Sequence, residues 1–227
     1  MSWLSNFLAS SIGQKLIMSL TGLFLILFLV VHLVGNLQLL ADDGGQSFNL
    51  YAYFMTTNPL ISTVSWGLYI LILLHAIQGM YIWRKNKSAR NGSYAVKSRS
   101  TSTFASRNMA WLGIIVFVFL ILHMWQFWFQ MKIGTLDLIE YTGHENAVKD
   151  LYTPVAVAFS KWWFVLFYVF SMLVVGFHLF HGFQSSFQTL GLSHKRFSNL
   201  IKVFGVIYSI VVPLGFAIIP IYFYFFK

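Results

Sequence analysis

Residues 16–40, LIMSLTGLFLILFLVVHLVGNLQLL, are an apolar run of 25 residues that contains no Asp, Glu, Lys or Arg. A helix needs roughly 20 apolar residues to cross the hydrocarbon core of a bilayer. The run therefore predicts a membrane-spanning helix. The whole chain has the same character, because 58% of its residues are hydrophobic and only 9% are charged, whereas soluble domains are about 25% charged.

Four more apolar runs of sufficient length follow, at roughly 60–83, 109–131, 162–183 and 203–226. No segment alternates between apolar and polar residues with the period that a transmembrane β-barrel requires. These features predict an all-α fold, an integral membrane five-helix transmembrane bundle that forms a single domain over residues 1–227. We expect membrane lipid to surround it.

Basic residues concentrate in two of the loops between these runs, and all acidic residues lie in the other two. By the positive-inside rule, the N-terminus and both basic loops are expected in the cytoplasm, and an odd number of spans leaves the C-terminus outside. We interpret the net charge of +9 as a topology signal and expect no nucleic-acid partner. The basic residues that carry this signal are Lys15, Arg84, Lys85, Lys87, Arg90, Lys97, Arg99, Arg107, Lys195, Arg196 and Lys202, and the acidic ones are Asp42, Asp43, Asp137, Glu140, Glu145 and Asp150.

Histidines occur in four of the five apolar runs. His32 lies in the first, His75 in the second, His123 in the third, and His178 and His181 in the fourth. Ionisable residues inside a membrane are rare and usually functional, and the centres of these runs hold no Asp, Glu, Lys or Arg to pair with them. We therefore interpret the histidines as functional groups rather than as packed core residues.

The positions of these histidines along their helices place them at two depths. At about 1.5 Å of rise per residue, His32 and His123 lie in the outer half of the membrane, whereas His75 and His178 lie nearer the cytoplasm. Two histidines at one depth on different helices can supply both axial nitrogens of a haem iron. Two levels, roughly 10–12 Å apart, therefore predict two haems. Zinc would need three or four ligands at one level, and a proton relay would normally include Asp or Glu.

The chain contains no cysteine. That excludes disulfides, cysteine-ligated iron–sulfur clusters and the covalent attachment of c-type haem, so the two predicted haems are noncovalent. Glycines three or four residues after a histidine share its helix face and would let a flat macrocycle approach the backbone. His181, one turn beyond His178, is expected to meet a haem propionate or a polar neighbour. The glycines are Gly35, Gly79 and Gly182.

Several motifs along the chain, taken together, resemble those of a known family. They are HLVGNL at 32–37, HAIQG at 75–79, His123, FHLFHGF at 177–183 and TLGL at 189–192, with GQKLIMSLTGLFLILFLVVHLVGNL at 13–37 the most specific. The chain resembles the cytochrome b558 membrane anchor of succinate dehydrogenase and fumarate reductase, in its single-chain, five-helix, dihaem form. The resemblance covers nearly the whole chain.

This resemblance implies a function and a set of partners. The outer, distal haem would be bound by His32 and His123, and the inner, proximal one by His75 and His178, both being b-type haems. A flavoprotein subunit, which carries the dicarboxylate chemistry, and an iron–sulfur subunit would bind on the cytoplasmic side of a bacterial inner membrane. The chain would then be the electron-transfer and quinone-reacting subunit of respiratory complex II, which serves the tricarboxylic acid cycle.

Polar residues at the two membrane edges complete the expected site. Arg84 and Lys85, at the inner edge, are the candidate partners for propionates of the proximal haem. Near the distal haem, a quinone, expected to be menaquinone, would meet residues that follow the outer histidines. The candidates are Asn36, Gln38 and Trp125.

Two other functions are compatible with the same pattern. One is a dihaem cytochrome b anchor of another respiratory enzyme, such as a formate dehydrogenase or a hydrogenase, or a ferric reductase. The other is a haem-free transporter with a histidine-lined path. Co-purifying subunits would separate the first from a succinate dehydrogenase anchor, and the absence of a visible absorption band would identify the second.

Overall fold

The computed structural model describes residues 3–89, 103–134, 136–192 and 194–227. Three basic residues of the loop between the second and third spans, Arg90, Lys97 and Arg99, lie outside the described residues. The sequence-based expectation that this loop faces the cytoplasm therefore stays a prediction.

The described residues are almost entirely helical. A short 3₁₀ helix (Gln38–Leu40) extends α2, a π-helical turn (Met124–Phe129) joins α5 to α6, and two short strands, β1 (Leu138–Ile139) and β2 (Val148–Lys149), pair antiparallel. The α-helices are α1 (Trp3–Ala9), α2 (Ser11–Leu37), α3 (Gln46–Thr57), α4 (Pro59–Ser88), α5 (Phe104–His123), α6 (Gln130–Ile133), α7 (Tyr152–Phe159), α8 (Trp162–Thr189) and α9 (Lys195–Phe226).

Five helical segments are long and apolar enough to cross a membrane, as the sequence predicted. They are Ser11–Leu40, Pro59–Ser88, Phe104–Ile133, Trp162–Thr189 and Arg196–Phe226. The all-α, five-helix transmembrane prediction is confirmed, and the chain is a multi-pass membrane protein whose outward apolar faces contact lipid.

The helices are longer than the apolar runs that predicted them, and polar capping residues determine where two of them begin. Asn58 accepts hydrogen bonds from the N–H groups of Leu60 and Ile61, with Pro59 in the first turn of α4. Thr103 accepts one from Ser106 at the start of α5. Such caps satisfy N–H groups that the first helical turn leaves free.

Four of the spans form a ring, and the fifth packs outside it. Around the ring, α2 packs against α4 and α8, and α5 packs against α8 and, less extensively, α4. Helix α9 packs on the outside of α8 and α2, where the Tyr208 hydroxyl donates to the carbonyl oxygen of Ile26 at 2.5 Å. This ring places α2 opposite α5 and α4 opposite α8.

Helix α9 continues through two prolines, Pro213 and Pro220. Pro213 has no N–H to bond the carbonyl of Ser209, four residues earlier. That carbonyl faces Gly176 of α8, where an added Cβ would lie 3.1 Å from its oxygen. The small residue therefore permits the close approach of α8 and α9.

The C-terminus lies at the end of the bundle where α2 ends. Lys227 Nζ is 2.6 Å from Asp42 Oδ1, and this hydrogen bond, with the attraction between the charges, lowers the pKa of Asp42. We call this the acidic end, and the opposite end, where α2, α5 and α9 begin, the basic end. Helix α1, which packs against α2, and Lys227 therefore lie at opposite ends, as an odd number of spans requires.

Candidate functional site

A cavity of about 2130 Å³ lies between α2, α4, α5 and α8, and residues of α3, α7 and α9 also contribute to its lining. Pockets for small ligands typically measure about 300–1,000 Å³, so this one has room for more than one large ligand. It is lined by all five histidines of the spans, His32, His75, His123, His178 and His181. The histidines predicted as ligands therefore line one cavity.

The outer pair, His32 of α2 and His123 of α5, lies towards the acidic end of this cavity. Their ring centroids are 5.9 Å apart and the rings are nearly perpendicular, at 85°. Phe28 and Phe216 pack against the His32 ring, and Phe119 stacks on the His123 ring. Aromatic side chains thus enclose the pair.

The inner pair, His75 of α4 and His178 of α8, lies closer to the basic end. Its ring centroids are 6.3 Å apart, at an angle of 70°. The Nδ1 atom of His178 is buried and has no hydrogen-bond partner among the described residues. A buried nitrogen of this kind is normally explained by a strained, catalytic or ligand-binding role.

The separation of the rings is the geometric feature that matters most. A metal ion bound by two imidazole nitrogens, each at a distance on the order of 2 Å, holds the ring centroids roughly 6 Å apart. Both pairs already have this spacing. No group of three or more His, Cys, Asp or Glu suited to a metal occurs in the described part of the chain. Each pair supplies two imidazole side chains from two different helices.

Each pair joins helices that face each other across the ring. The helices on a diagonal, α2 with α5 and α4 with α8, do not pack along their length, so their histidines reach across the cavity rather than across a helix contact. These are the two pairings that depth in the membrane predicted. The donor set and the space between the helices fit a haem at each level.

Hydrogen bonds to Nδ1 orient three of the four paired rings, and the sequence did not identify two of the partners. Thr21 Oγ1 is 3.1 Å from His75 Nδ1, and Tyr168 Oη is 3.3 Å from His123 Nδ1. Asn36 lies on the same helix as His32, with its Nδ2 atom 3.3 Å from Nδ1 and 2.7 Å from the carbonyl oxygen of that residue. The two hydroxyls can accept from Nδ1–H and so leave Nε2 free, whereas the amide nitrogen of Asn36 can only donate, and its shorter contact is with the carbonyl oxygen of His32.

Two glycines that the sequence analysis did not single out flank the inner pair. An added Cβ at Gly22 of α2 would lie 3.3 Å from His75 Cε1, and one at Gly113 of α5 would lie 3.6 Å from His178 Cε1. The glycines that the sequence predicted also line the cavity, but none of them has a histidine ring as its nearest neighbour. Gly35 faces Tyr51, Gly79 faces Met18 and Gly182 faces Met109.

These glycines also measure the distance between the two levels. Gly22 is level with the inner pair and precedes His32 by ten residues, as Gly113 precedes His123. Ten residues of helix rise about 15 Å. The pairs are therefore farther apart along the helices than the roughly 10–12 Å that the flanking charges suggested.

The basic residues that line the cavity differ from those predicted. Arg84 and Lys85 are exposed and do not line it, and Lys85 Nζ contacts Gln14 Oε1 at 3.3 Å. Lys15, Lys87 and Arg107 line its basic end instead, as does His181. A set of three cations at one end of an apolar cavity is suited to carboxylates.

The predicted quinone residues are spread over different surroundings. Asn36 lines the cavity, whereas Gln38 and Trp125 do not. Trp125 is 60% exposed and stacks on Phe129 with ring centroids 4.5 Å apart.

A second polar contact lies in the same part of the cavity. Trp128, three residues after Trp125, does line the cavity, and its Nε1 donates to Tyr69 Oη at 2.7 Å. The π-helical turn at Met124–Phe129 carries both tryptophans and follows His123 directly.

No protein-family model, curated protein or solved structure matches the chain.

Proposed function

We propose that this protein is a dihaem cytochrome b membrane anchor of a succinate:quinone oxidoreductase or fumarate reductase. The observation that carries the proposal is the presence of two histidine pairs with ring centroids 5.9 and 6.3 Å apart, both lining one cavity inside the bundle. The proposal has three parts: haem binding, electron transfer through the membrane, and association with partner subunits.

The donor set supports haem over other metal groups. Zinc sites use three or four protein ligands, usually with cysteine or carboxylate, and the cavity presents histidines in pairs that are separated by about 15 Å along the helices. A haem iron held by two protein ligands would take one histidine from each of two diagonal helices, as His32 with His123 and His75 with His178 could supply. A bis-histidine haem carries one electron at a time through its iron.

The polypeptide's own contribution is to hold two such sites at fixed separation. His75 and His178 present nitrogens near the basic end, and His32 and His123 present them towards the acidic end. The aromatic rings around the outer pair exclude water from it. This arrangement is suited to electron transfer across much of the membrane thickness.

Lys15, Lys87 and Arg107 are the proposed partners for the propionates of the inner haem. They line the basic end of the cavity, where their positive charges would compensate two carboxylates at the membrane edge. His181, which lines the same end, is a further candidate for this contact.

The family-level part of the proposal rests on the sequence motifs HLVGNL, HAIQG and FHLFHGF. They resemble the anchors that bind a flavoprotein subunit and an iron–sulfur subunit. In such a complex the iron–sulfur clusters would belong to the partner, because this chain has no cysteine to ligate them. We propose that these partners dock at the basic end, in the cytoplasm of a bacterium, and that the N-terminus lies on that side of the inner membrane. The acidic end and Lys227 would then lie outside.

Quinone is proposed to react at the acidic end, near the outer pair. Polar groups that line this part of the cavity include Asn36 and the hydrogen-bonded pair of Trp128 and Tyr69. The Tyr69 hydroxyl, which accepts from Trp128, keeps its own proton and is the proposed donor to a quinone headgroup. Menaquinone is the expected quinone.

The test is to purify the protein in detergent from its native membrane, to record its visible absorption spectrum and to identify the subunits that co-purify with it. The proposal expects a pyridine haemochrome spectrum typical of b-type haem, and mass spectrometry should identify a flavoprotein and an iron–sulfur protein. A colourless preparation would exclude the haem proposal and favour a transporter. A haem-containing preparation with formate dehydrogenase or hydrogenase subunits would reassign the anchor to another respiratory enzyme.

A further inference from the structure

We propose that Thr21 is a positioning residue for His75: its hydroxyl holds the proton of that imidazole on Nδ1, directs Nε2 into the cavity, and lowers the reduction potential of the inner site. The inference rests on the proposed function, because it concerns the nitrogen that would bind haem. It follows from the hydrogen bonds around a single buried side chain.

The Thr21 hydroxyl has one proton, and the helix determines where it goes. Thr21 Oγ1 is 2.8 Å from the carbonyl oxygen of Ile17 and 3.1 Å from that of Met18. Carbonyl oxygens only accept, so the hydroxyl donates to its own helix at the shorter of these contacts. Thr21 is only 4% exposed, which keeps water from competing.

His75 must therefore be the donor in the remaining contact. Its Nδ1 is 3.1 Å from Thr21 Oγ1, whose lone pairs are free once its proton points at Ile17. A neutral imidazole with its proton on Nδ1 has the lone pair on Nε2. Gly22, the next residue, leaves space for the ring, since an added Cβ there would lie 3.3 Å from Cε1 of His75.

The inner pair has this hydrogen bond on one side only. His178 Nδ1 has no hydrogen-bond partner in the described ranges of the chain, whereas His75 has Thr21. A hydrogen bond accepted from Nδ1–H makes an imidazole a stronger electron donor. A stronger donor favours ferric over ferrous iron, so the loss of the Thr21 hydroxyl should raise the potential of the inner site and leave the outer one unchanged.

The experiment is a redox titration of the purified, haem-loaded protein with its accompanying subunits. Thr21→Val removes the hydroxyl and keeps the shape, and Thr21→Ser restores a hydroxyl. Ser171→Ala is the matched control, because Ser171 is a buried hydroxyl that donates to its own helix at Phe167. The readouts are the two midpoint potentials, the low-spin electron paramagnetic resonance signals and the haem retained per chain.

Thr21→Val should raise one midpoint potential and leave the other in place, and a tenfold loss of preference for ferric iron would appear as a shift of about 59 mV. Haem at that site should also be held on the order of 10-fold to 100-fold more weakly. Thr21→Ser should resemble the wild type, as should Ser171→Ala.

Two results would overturn the inference, and they are distinguishable. If the wild type contains two haems and Thr21→Val moves neither potential nor any resonance signal, Thr21 does not act on His75 while the proposed function stands. If the wild type contains no haem, both fail together. Should Thr21→Val not accumulate, the same titration is carried out on Thr21→Ala, where unchanged midpoint potentials would equally contradict the inference.

Discussion

His178 and His181 lie one helical turn apart on α8, and of these two residues it is His178 whose ring faces His75. We predict that His75→Ala and His178→Ala each remove the inner haem, whereas His181→Ala retains it, because His181 lines the basic end of the cavity outside the pair. Haem per chain by pyridine haemochrome measures the effect. Retention in His178→Ala together with loss in His181→Ala would reverse the assignment.

Gly113 of α5 lies against the His178 ring. The effect of a substitution at Gly113 should depend on the size of the new side chain. An added Cβ would be 3.6 Å from His178 Cε1, an ordinary van der Waals contact, so Gly113→Ala should keep both haems. Gly113→Leu puts further carbon atoms where the ring stands, so the inner haem should be lost and the outer one kept. A two-component redox titration distinguishes these cases, and a Gly113→Leu protein with both components intact would contradict the packing argument.

Some contacts of the site could be predicted from the sequence and others could not. The pairing of the histidines could be predicted because helical rise is constant, so depth follows from residue number. Thr21 and Tyr168 could not, since they are 54 and 45 residues from the histidines that they contact. Depth alone does not give the direction of a side chain around its helix: nine residues at about 100° each place Arg84 on the face of α4 opposite His75.

Helix α3 covers part of the acidic end of the cavity, and a single buried residue fastens it. Tyr51 and Met55 of α3 line the cavity. Asn49 is only 1% exposed, and both its amide nitrogen and its amide oxygen form hydrogen bonds. Its Nδ2 donates to Tyr141 Oη at 2.9 Å and to Asp150 Oδ1 at 3.1 Å, while its Oδ1 accepts from the backbone of Leu151 and Tyr152. This network joins α3 to the segment before α7.

We predict that Asn49→Ala loosens α3 more than it unfolds the bundle. Each buried polar group left without a partner costs about 1–3 kcal/mol. The substitution removes the hydrogen-bond partner of Asp150 and of the backbone N–H groups of Leu151 and Tyr152. Hydrogen–deuterium exchange of residues 46–57 should rise strongly while exchange in α8 and α9 stays slow. Thr57→Ala is the control, because that exposed hydroxyl donates to its own helix at Tyr53. If hydrogen–deuterium exchange in α3 of Asn49→Ala equalled that of the wild type, Asn49 would not be the residue that holds α3 in place.

The same network should depend on pH through Asp150. Burial by itself raises the pKa of this carboxyl, but hydrogen bonds from Thr153, Asn49 and the backbone outweigh burial and lower it. A lowered pKa means that the stabilisation is present above the ordinary Asp value, about 3.9, and is lost as the pH falls through the folded value.

The difference in melting temperature between the wild type and Asp150→Ala should therefore be constant from about pH 5 to pH 8 and shrink below about pH 4. The measurement is thermal unfolding in detergent over this range. A difference that grows on acidification would mean that the carboxylate destabilises the fold.

The ends of the elements were harder to predict than their existence. Apolar length located all five spans, because a membrane imposes it. It could not locate α3, α7 or the strands β1 and β2, which lie outside the apolar runs and depend on contacts such as those of Asn49. Nor does residue type alone predict the π-helical turn that follows His123.

In the molecule as a whole, the two levels of histidines would set the direction in which electrons cross the bundle. If partner subunits supply electrons at the basic end, the outer pair is the later of the two sites and quinone reacts beside it. His32→Ala or His123→Ala should then abolish quinone reduction and leave succinate oxidation by a soluble dye largely intact, because that reaction does not need the outer pair. Normal quinone reduction by a variant that lacks the outer haem would place the quinone site at the basic end.

The central claim is that this chain holds two haems between two pairs of helices, and the most direct measurement is haem stoichiometry. Pyridine haemochrome and quantitative amino-acid analysis of the purified protein should give two b-type haems per chain in the wild type. They should give one in His178→Ala and one in His32→Ala, with the two variants losing different components of the redox titration. A wild-type value of zero or one, or the loss of the same component in both variants, would contradict the account.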